Sequence, residues 1–503
     1  MKILQFFIFS LLLLTYKLNS QQYFSRYFDF EGDNDIAWNI IQVGNRFVVF
    51  SANYCHQNTV SCTGLLCFDK NLNLIWRIQL DSVGPLNEES ITADDQFIYL
   101  CVTPDYNPNY VMRLYKIDLN GNLIQLKELG PYSKRISPTV LNHHNGLLYM
   151  NVLYWHDRNI KGFDSTEVWY MNKNFEVVYK FTDTDKKFYE DLTGYLPTVD
   201  GNFLASKTYY NKNGVIRGHV RKFDSNGRNI QNFYLPWTHE GKYGLGLEPI
   251  KPTKDNGCVG LWHQEIEVLF NDTFPMQPIV YKMDSLGNIQ WHHIFYSKHP
   301  KRIKNLMEAK NGDIILIGDS ENAGKANPYK CGGWVVRFSP NGKIIWEKSY
   351  NDTISLNGYS HFYDGLEMEN GELVFCGNII PKLEGGQITN SDDWLVHTDR
   401  NGCILPGCDS FQLLTNLEIP IENSFYNVHF NNPVTNELLL EAEFPSTSSI
   451  ISISDLNANV VYTQKVSGFP IKIDLRNVSS GIYYLTIRDS NINFIKTFKF
   501  LKL

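Results

Sequence analysis

Apolar and polar residues alternate along most of this chain, in short stretches broken by Asn, Asp and Gly. A period of two is the signature of strands with one buried face. It is clearest at 334–350, "WVVRFSPNGKIIWEKSY", two apolar runs around a tight turn, and 279–295, "IVYKMDSLGNIQWHHIF", repeats the form. Aligned on the turn, the hairpin occurs seven times: 65–76, 113–124, 168–179, 219–230, 280–291, 335–346 and 394–405. Successive turns are 49 to 60 residues apart, a period of propellers and solenoids. The Asp that usually opens the turn is expected to accept hydrogen bonds from backbone N–H groups ahead of it. The Gly three residues later is expected to take positive φ. Trp76, Trp291 and Trp346 share one position in the second strand, where a large ring packs against the next unit.

A second pattern precedes each hairpin: a turn such as "NG" or "DDQ", then a short apolar strand, as in "NGDIILIGD" (311–319) and "NGELVFCGN" (370–378). The segment before that turn adds one more strand, as in "KRIKNLMEA" (301–309). Four antiparallel strands per unit, seven times over, predict an all-β chain built around a seven-bladed β-propeller. An open ring would expose a sheet edge. The last unit is short after "CILPGC", so the strand-like 22–30, "QYFSRYFDF", is expected to supply its outer strand. Both kinds of tight turn then lie on one face, and the long irregular loops on the other.

The repeat resembles the bacterial propeller repeat called SBBP, best over 334–377. Blades three and four depart from it: Phe175 stands where the turn Gly belongs, and neither has the Trp. The hairpin also resembles quinoprotein repeats, but their Gly-Trp docking motif and any haem CxxCH are missing, so no cofactor is expected. After a linker over 409–424 the pattern changes, and 425–503 reads as a small Ig-like β-sandwich of about seven strands. This run resembles the type A sorting domain of the type IX secretion system of Bacteroidetes. The resemblance rests on Asn432, Pro433 and Val434 before a strand, Asp455 at a turn, Gly481 and Tyr483, and a terminal Lys-Phe alternation. Asn431 stands where that family usually has Pro, and Ala458 where it prefers Gly. The resemblance implies export across the outer membrane, with 425–503 read by the secretion machinery.

The other end agrees. "MKILQFFIFSLLLLTYKLNSQQ" has a charged start, an apolar run and a polar exit, the form of a signal peptide over 1–20 cut before Gln21. No later stretch is apolar enough to span a bilayer, so the mature chain (propeller 21–408) is expected to carry no transmembrane segment. With 46 Lys and Arg against 53 Asp and Glu, the net charge of −7 argues against a nucleic-acid partner. Nine cysteines in an exported chain permit disulfides, and Cys55–Cys62 and Cys403–Cys408 are spaced to close local rings. There is no CxxC, and no metal is expected.

Long loops on a rigid scaffold tend to carry function, which points to the face opposite the turns. There Tyr154, Trp155, His156, Asp157 and Arg158 combine aromatic faces with hydrogen-bonding groups, as sugars require. Trp237, His239 and Glu240, with Trp262, His263 and Glu265, form a comparable pair of clusters. Packing between blades would explain the same tryptophans. No GxSxG, HExxH or phosphate loop is present, and no catalytic residue is assigned. The expectation is a surface-displayed propeller for recognition, adhesion or scaffolding, with an extracellular glycan or protein as partner. A polysaccharide hydrolase or lyase on the same scaffold, or a structural surface protein, is the alternative.

Overall fold

A computed structural model describes residues 24–29, 34–55, 60–80, 83–84, 90–104, 111–132, 136–155, 163–183, 193–210, 215–240, 250–265, 276–295, 301–321, 331–350, 359–380, 390–404, 427–431, 434–443, 449–455, 460–489 and 494–503. The chain divides into two compact units, 1–410 and 411–503.

In the first unit the described strands form seven antiparallel sets of four, in chain order, with Val83–Gly84 as a short extra strand in the second. Each set runs from an inner strand outward. The inner strands are Asp35–Val43, Ile91–Ala93, Ile136–His144, Thr193–Pro197, Ile250–Pro252, Lys301–Glu308 and Tyr359–Glu367. Each touches the inner strand of the next set, and the seventh touches the first, so they surround an axis. This is the arrangement of β-propeller blades. The seventh blade is completed from the other end of the chain. Phe24–Phe28 pairs antiparallel with Asp392–Thr398, Phe24 opposite His397 and Phe28 opposite Asp393. Trp394 Nε1 also donates to Ser25 Oγ at 2.8 Å. The expected closing strand is therefore present, and it removes the open edge.

The turns have the expected chemistry. Asp118 Oδ1 accepts from the backbone N–H of Asn120 and of Asn122, both at 2.8 Å, and Gly121 has φ +85°. Rings on five of the outer strands press onto the turn of the next blade. A Cβ on Gly342 would lie 2.5 Å from Trp291 Cγ, and one on Gly402 would lie 3.0 Å from Trp346. Glycine is thus required by the neighbour as well as by φ. Blades three and four use the same contact two residues later: a Cβ on Gly227 would meet Phe181 at 2.2 Å, and one on Gly287 would meet Phe233 at 1.9 Å.

The other departure has a physical reason too. Blade two carries no ring on its outer strand; Gln125 and Lys127 bond the carbonyls of Asn174 and Phe175 instead. The vacated space is filled by Phe175 itself, fully buried, edge-on to Tyr99 at 6.1 Å. Its φ of +62° costs a non-glycine residue about 1–2 kcal/mol. Burying a Phe side chain contributes about 1.5–3 kcal/mol, so the exchange is tolerated. Leu72, buried with φ +61°, does the same in blade one.

The second unit has two sheets. Asn427–Phe430, Glu437–Glu443 and Ile471–Asp474 form one; Val460–Val466, Ser449–Ser454, Gly481–Asp489 and Phe494–Lys502 form the other. Alternate residues of both, among them Leu438, Leu440, Ile451, Ile453, Leu485 and Ile487, share one core. Val434 is buried in it and clasps the final strand, donating to Leu501 O and accepting from Leu503 N, each at 2.8 Å. Tyr483 caps its own turn through Ser479 O at 2.9 Å. Asp455 follows the strand ending at Ser454, and Gly481 opens the longest of its sheet with Phe494–Lys502. Asn432 and Pro433 lie outside the described residues.

Candidate functional site

The inner strands enclose a cavity of about 560 Å³ along the axis. Its walls mix apolar side chains, such as Ile40, Ile91, Leu141, Leu196 and Met307, with polar ones, among them Asn39, Asn142, Asn305, Lys251, Lys254, Glu308 and Asp364. Asp364 sits on the inner strand of blade seven and ties both neighbours to it. Its carboxylate accepts from Ile40 N at 3.0 Å, in blade one, and from Asn305 Nδ2 at 2.5 Å, in blade six. Burial pushes this carboxyl up to about 6, against the opposing pull of the Ile40 N–H and the Lys251 charge. Glu308, nearer the turn side, accepts from Lys254 N at 2.7 Å.

Just to the loop side of this cavity, three successive inner strands are bulged. The register slips between Ile303 and Asn305, between Phe362 and Asp364, and between Ala37 and Asn39. The inserted residues are Lys304, Tyr363 and Trp38. A bulge adds an unpaired residue and re-aims its side chain. Here the three side chains meet: the Trp38 and Tyr363 rings are 4.6 Å apart at 51°, and Lys304 Nζ lies 5.7 Å from the Tyr363 ring. All three are half-buried. The indole N–H of Trp38 has no hydrogen-bond partner among the described residues. Two aromatic rings and a cation are thus grouped at the loop-side end of three inner strands, and the Trp38 ring also packs on the core shared by blades one and two.

The residues singled out from sequence are placed differently. Trp262 is fully buried and belongs, with Trp237, to the core between blades four and five. Trp237 packs on Tyr281 and His292, at 5.7 and 5.3 Å. His263 is buried on the same strand, and burial lowers its imidazole to about 4. These three pack rather than present a surface, because their strands lie between neighbouring sheets. Tyr154 donates to Glu167 Oε2 at 2.8 Å, sharing that carboxylate with Trp169 Nε1. The side chains of Trp155, His239 and Glu265, and of Glu240, lie outside the described residues, as do His156, Asp157 and Arg158 altogether.

Cys67, Cys101, Cys258, Cys331 and Cys376 are buried and form no disulfide. Cys62 and Cys403 are disulfide-bonded. Their expected partners, the Cys55 side chain and Cys408, lie outside the described residues, as does the stretch 1–23. No helix among the described residues is long and apolar enough to cross a membrane.

Residues 429–500 match the secretion system C-terminal sorting domain family. That domain directs export by the type IX system, so the chain is sent to the cell surface or secreted. No curated protein matches the chain. Among solved structures it is similar to the β-propeller domain of the Trilobed protease from Pyrococcus furiosus, at 8% identity and TM-score 0.40, over 70% of this chain and 93% of that one. It is also similar to a subtype N11 neuraminidase-like protein of A/flat-faced bat/Peru/033/2010, at 10% identity and TM-score 0.37, over 76% of this chain and 94% of that one. A third is an acylaminoacyl peptidase of Pyrococcus horikoshii, at 8% identity and TM-score 0.41, over 92% of this chain and 57% of that one. At this distance these likenesses say nothing of activity.

Proposed function

We propose that the protein is a seven-bladed propeller displayed at the cell surface, which recognises an extracellular glycan at the loop-side mouth of its axis. A signal peptide over 1–20 starts export, 21–408 is the propeller, 409–424 a linker and 425–503 the sorting domain. Cys55–Cys62 and Cys403–Cys408 close two local rings once the chain is oxidised. The meeting of Trp38, Tyr363 and Lys304 on three successive bulges carries the reading. Sugar C–H faces stack on rings such as those of Trp38 and Tyr363. The Lys304 ammonium favours sugars bearing a carboxylate. The hydrolase or lyase reading needs two carboxylates turned to one substrate. The two acids lining the cavity, Asp364 and Glu308, are instead held by hydrogen bonds from neighbouring blades.

Affinity electrophoresis through gels of a uronic-acid polysaccharide and of a neutral one tests the proposal. The wild-type chain is expected to be retarded more by the acidic gel, and Trp38→Ala and Tyr363→Ala to lose the retardation. Equal mobility of wild type with and without either polysaccharide, or unchanged retardation in both variants, overturns it.

A further inference from the structure

At the loop-side seam of blades six and seven, side chains from three strands converge. They are Asp319 of Ile314–Glu321, Cys331 of Cys331–Phe338 and His361 of Tyr359–Glu367. Cys331 Sγ lies 3.1 Å from Asp319 Oδ2 and 3.7 Å from His361 Nδ1. His361 Nδ1 lies 3.2 Å from Asp319 Oδ1. One ligand atom from each of the three falls within 4.8 Å of the other two. The distances from His361 Nδ1 to Asp319 Oδ1, 3.2 Å, and to Cys331 Sγ, 3.7 Å, are close to two edges of a tetrahedral zinc site. With bonds of about 2.3 Å to sulfur and about 2.0 Å to nitrogen or oxygen, those edges are roughly 3.3–3.6 Å.

A second observation points the same way. Asp319 is fully buried, yet among the described residues its Oδ1 makes no hydrogen bond. His361 Nδ1 is near enough, but the contact lacks hydrogen-bond alignment. A buried carboxylate oxygen without a donor is costly, and a shared cation relieves that cost. The other oxygen, Oδ2, accepts from Arg302 Nε at 2.7 Å, and Arg302 NH2 reaches Cys331 Sγ at 3.5 Å. Arg302 therefore stands where an outer partner fixes the carboxylate and supports a thiolate, leaving Oδ1 for the ion.

We propose that Asp319, Cys331 and His361 bind one zinc-class divalent cation, with the remaining position open towards the loop side. One sulfur, one nitrogen and one oxygen suit zinc, whereas calcium and magnesium take oxygen alone. Binding releases the Cys331 thiol proton to solvent and forms the metal–sulfur bond. Because Asp319 and Cys331 belong to blade six and His361 to blade seven, the ion cross-links the closing blade to the one before it. The proposal is independent of the glycan reading.

The test is cobalt titration of the purified full chain after chelator treatment. One cobalt per chain is expected, with tetrahedral d–d bands and a thiolate-to-cobalt charge-transfer band. In Cys331→Ser the charge-transfer band should vanish. In His361→Gln, at a partly exposed position that spares the fold, affinity should fall at least tenfold; Cys376→Ser should match wild type. Zinc should raise the thermal midpoint of wild type and leave that of His361→Gln unmoved. Absence of cobalt binding by the wild-type chain overturns the proposal. So does a spectrum without the thiolate band, or affinity unchanged in His361→Gln, whichever way Cys331→Ser folds.

Discussion

The two faces of the ring differ in how completely their polar and packing demands are met. On the turn side the same solution recurs blade after blade. Asp224, Asp284 and Asp399 each cap their own turn through the backbone N–H two and four residues ahead. A cation two residues before the turn reaches the acid of the neighbouring tight turn, Lys222 to Asp200 at 2.8 Å and Arg337 to Asp313 at 2.7 Å. Rings from one blade press on the turn of the next. On the loop side, the bulges of blades six, seven and one bring Lys304, Tyr363 and Trp38 together, and Asp319, Cys331 and His361 gather beside them. A repeated surface spends its side chains on blade-to-blade packing. An irregular one on the same scaffold leaves groups available for ligands.

The comparison breaks first at the turn glycines. Gly287→Ala adds overlap with Phe233 to the strain of φ +88°. A loss of about 3 kcal/mol is expected from urea unfolding. Gly371→Ala, with φ +85° but nothing nearer than 3.9 Å, should lose only about 1–2 kcal/mol. Equal losses would mean that φ alone selects glycine, with no part played by the adjacent ring.

Asp364, midway between the faces, sharpens the picture through pH. Its folded pKa, about 6, lies above the ordinary 3.8, so the unfolded chain ionises first. Its unfavourable contribution is absent below about pH 4, grows as pH rises towards 6 and is complete above that, on the order of 3 kcal/mol. Asp364→Asn should remove this slope. Stability curves at pH 4.5 and 7 that run parallel for wild type and variant would show that Asp364 titrates normally.

Phe175→Gly relieves the backbone but opens a cavity between blades two and three. A net loss of about 2 kcal/mol is expected by thermal unfolding. A neutral or stabilising outcome would refute the compensation between Phe175 and the missing ring of blade two. On the loop side, Trp38→Ala should cost only about 1 kcal/mol while abolishing polysaccharide retardation, since it removes a buried N–H that makes no hydrogen bond among the described residues, whereas the equally half-buried Trp291 donates to Pro340 O at 2.9 Å. If it destabilises as much as Trp291→Ala on the turn side, expected at about 2–3 kcal/mol, the two faces are not energetically distinct.

Much of the fold was legible in the chain because its determinants are local. Alternation marked the strands, Asp-x-x-Gly marked the turns, and an unpaired strand-like segment at 22–30 marked the closure that Phe24–Phe28 makes. The candidate site was not legible. Trp237, Trp262 and His263 drew attention as aromatic and polar neighbours, but adjacency along a strand says nothing of whether another sheet covers it, and here one does. Trp38, Lys304 and Tyr363 each looked like one unremarked residue of an inner strand.

The sequence by itself determined the strand pattern, the turn chemistry, the repeat and the sorting domain, since each depends on residues a few positions apart. Only the tertiary structure decided which side chains share a site. Closing the ring brings residue 38 beside residue 363, and strand pairing with one parallel bridge brings Cys331 beside His361. Bulges at Trp38, Lys304 and Tyr363 depend on register against a partner strand, which no single strand's sequence specifies.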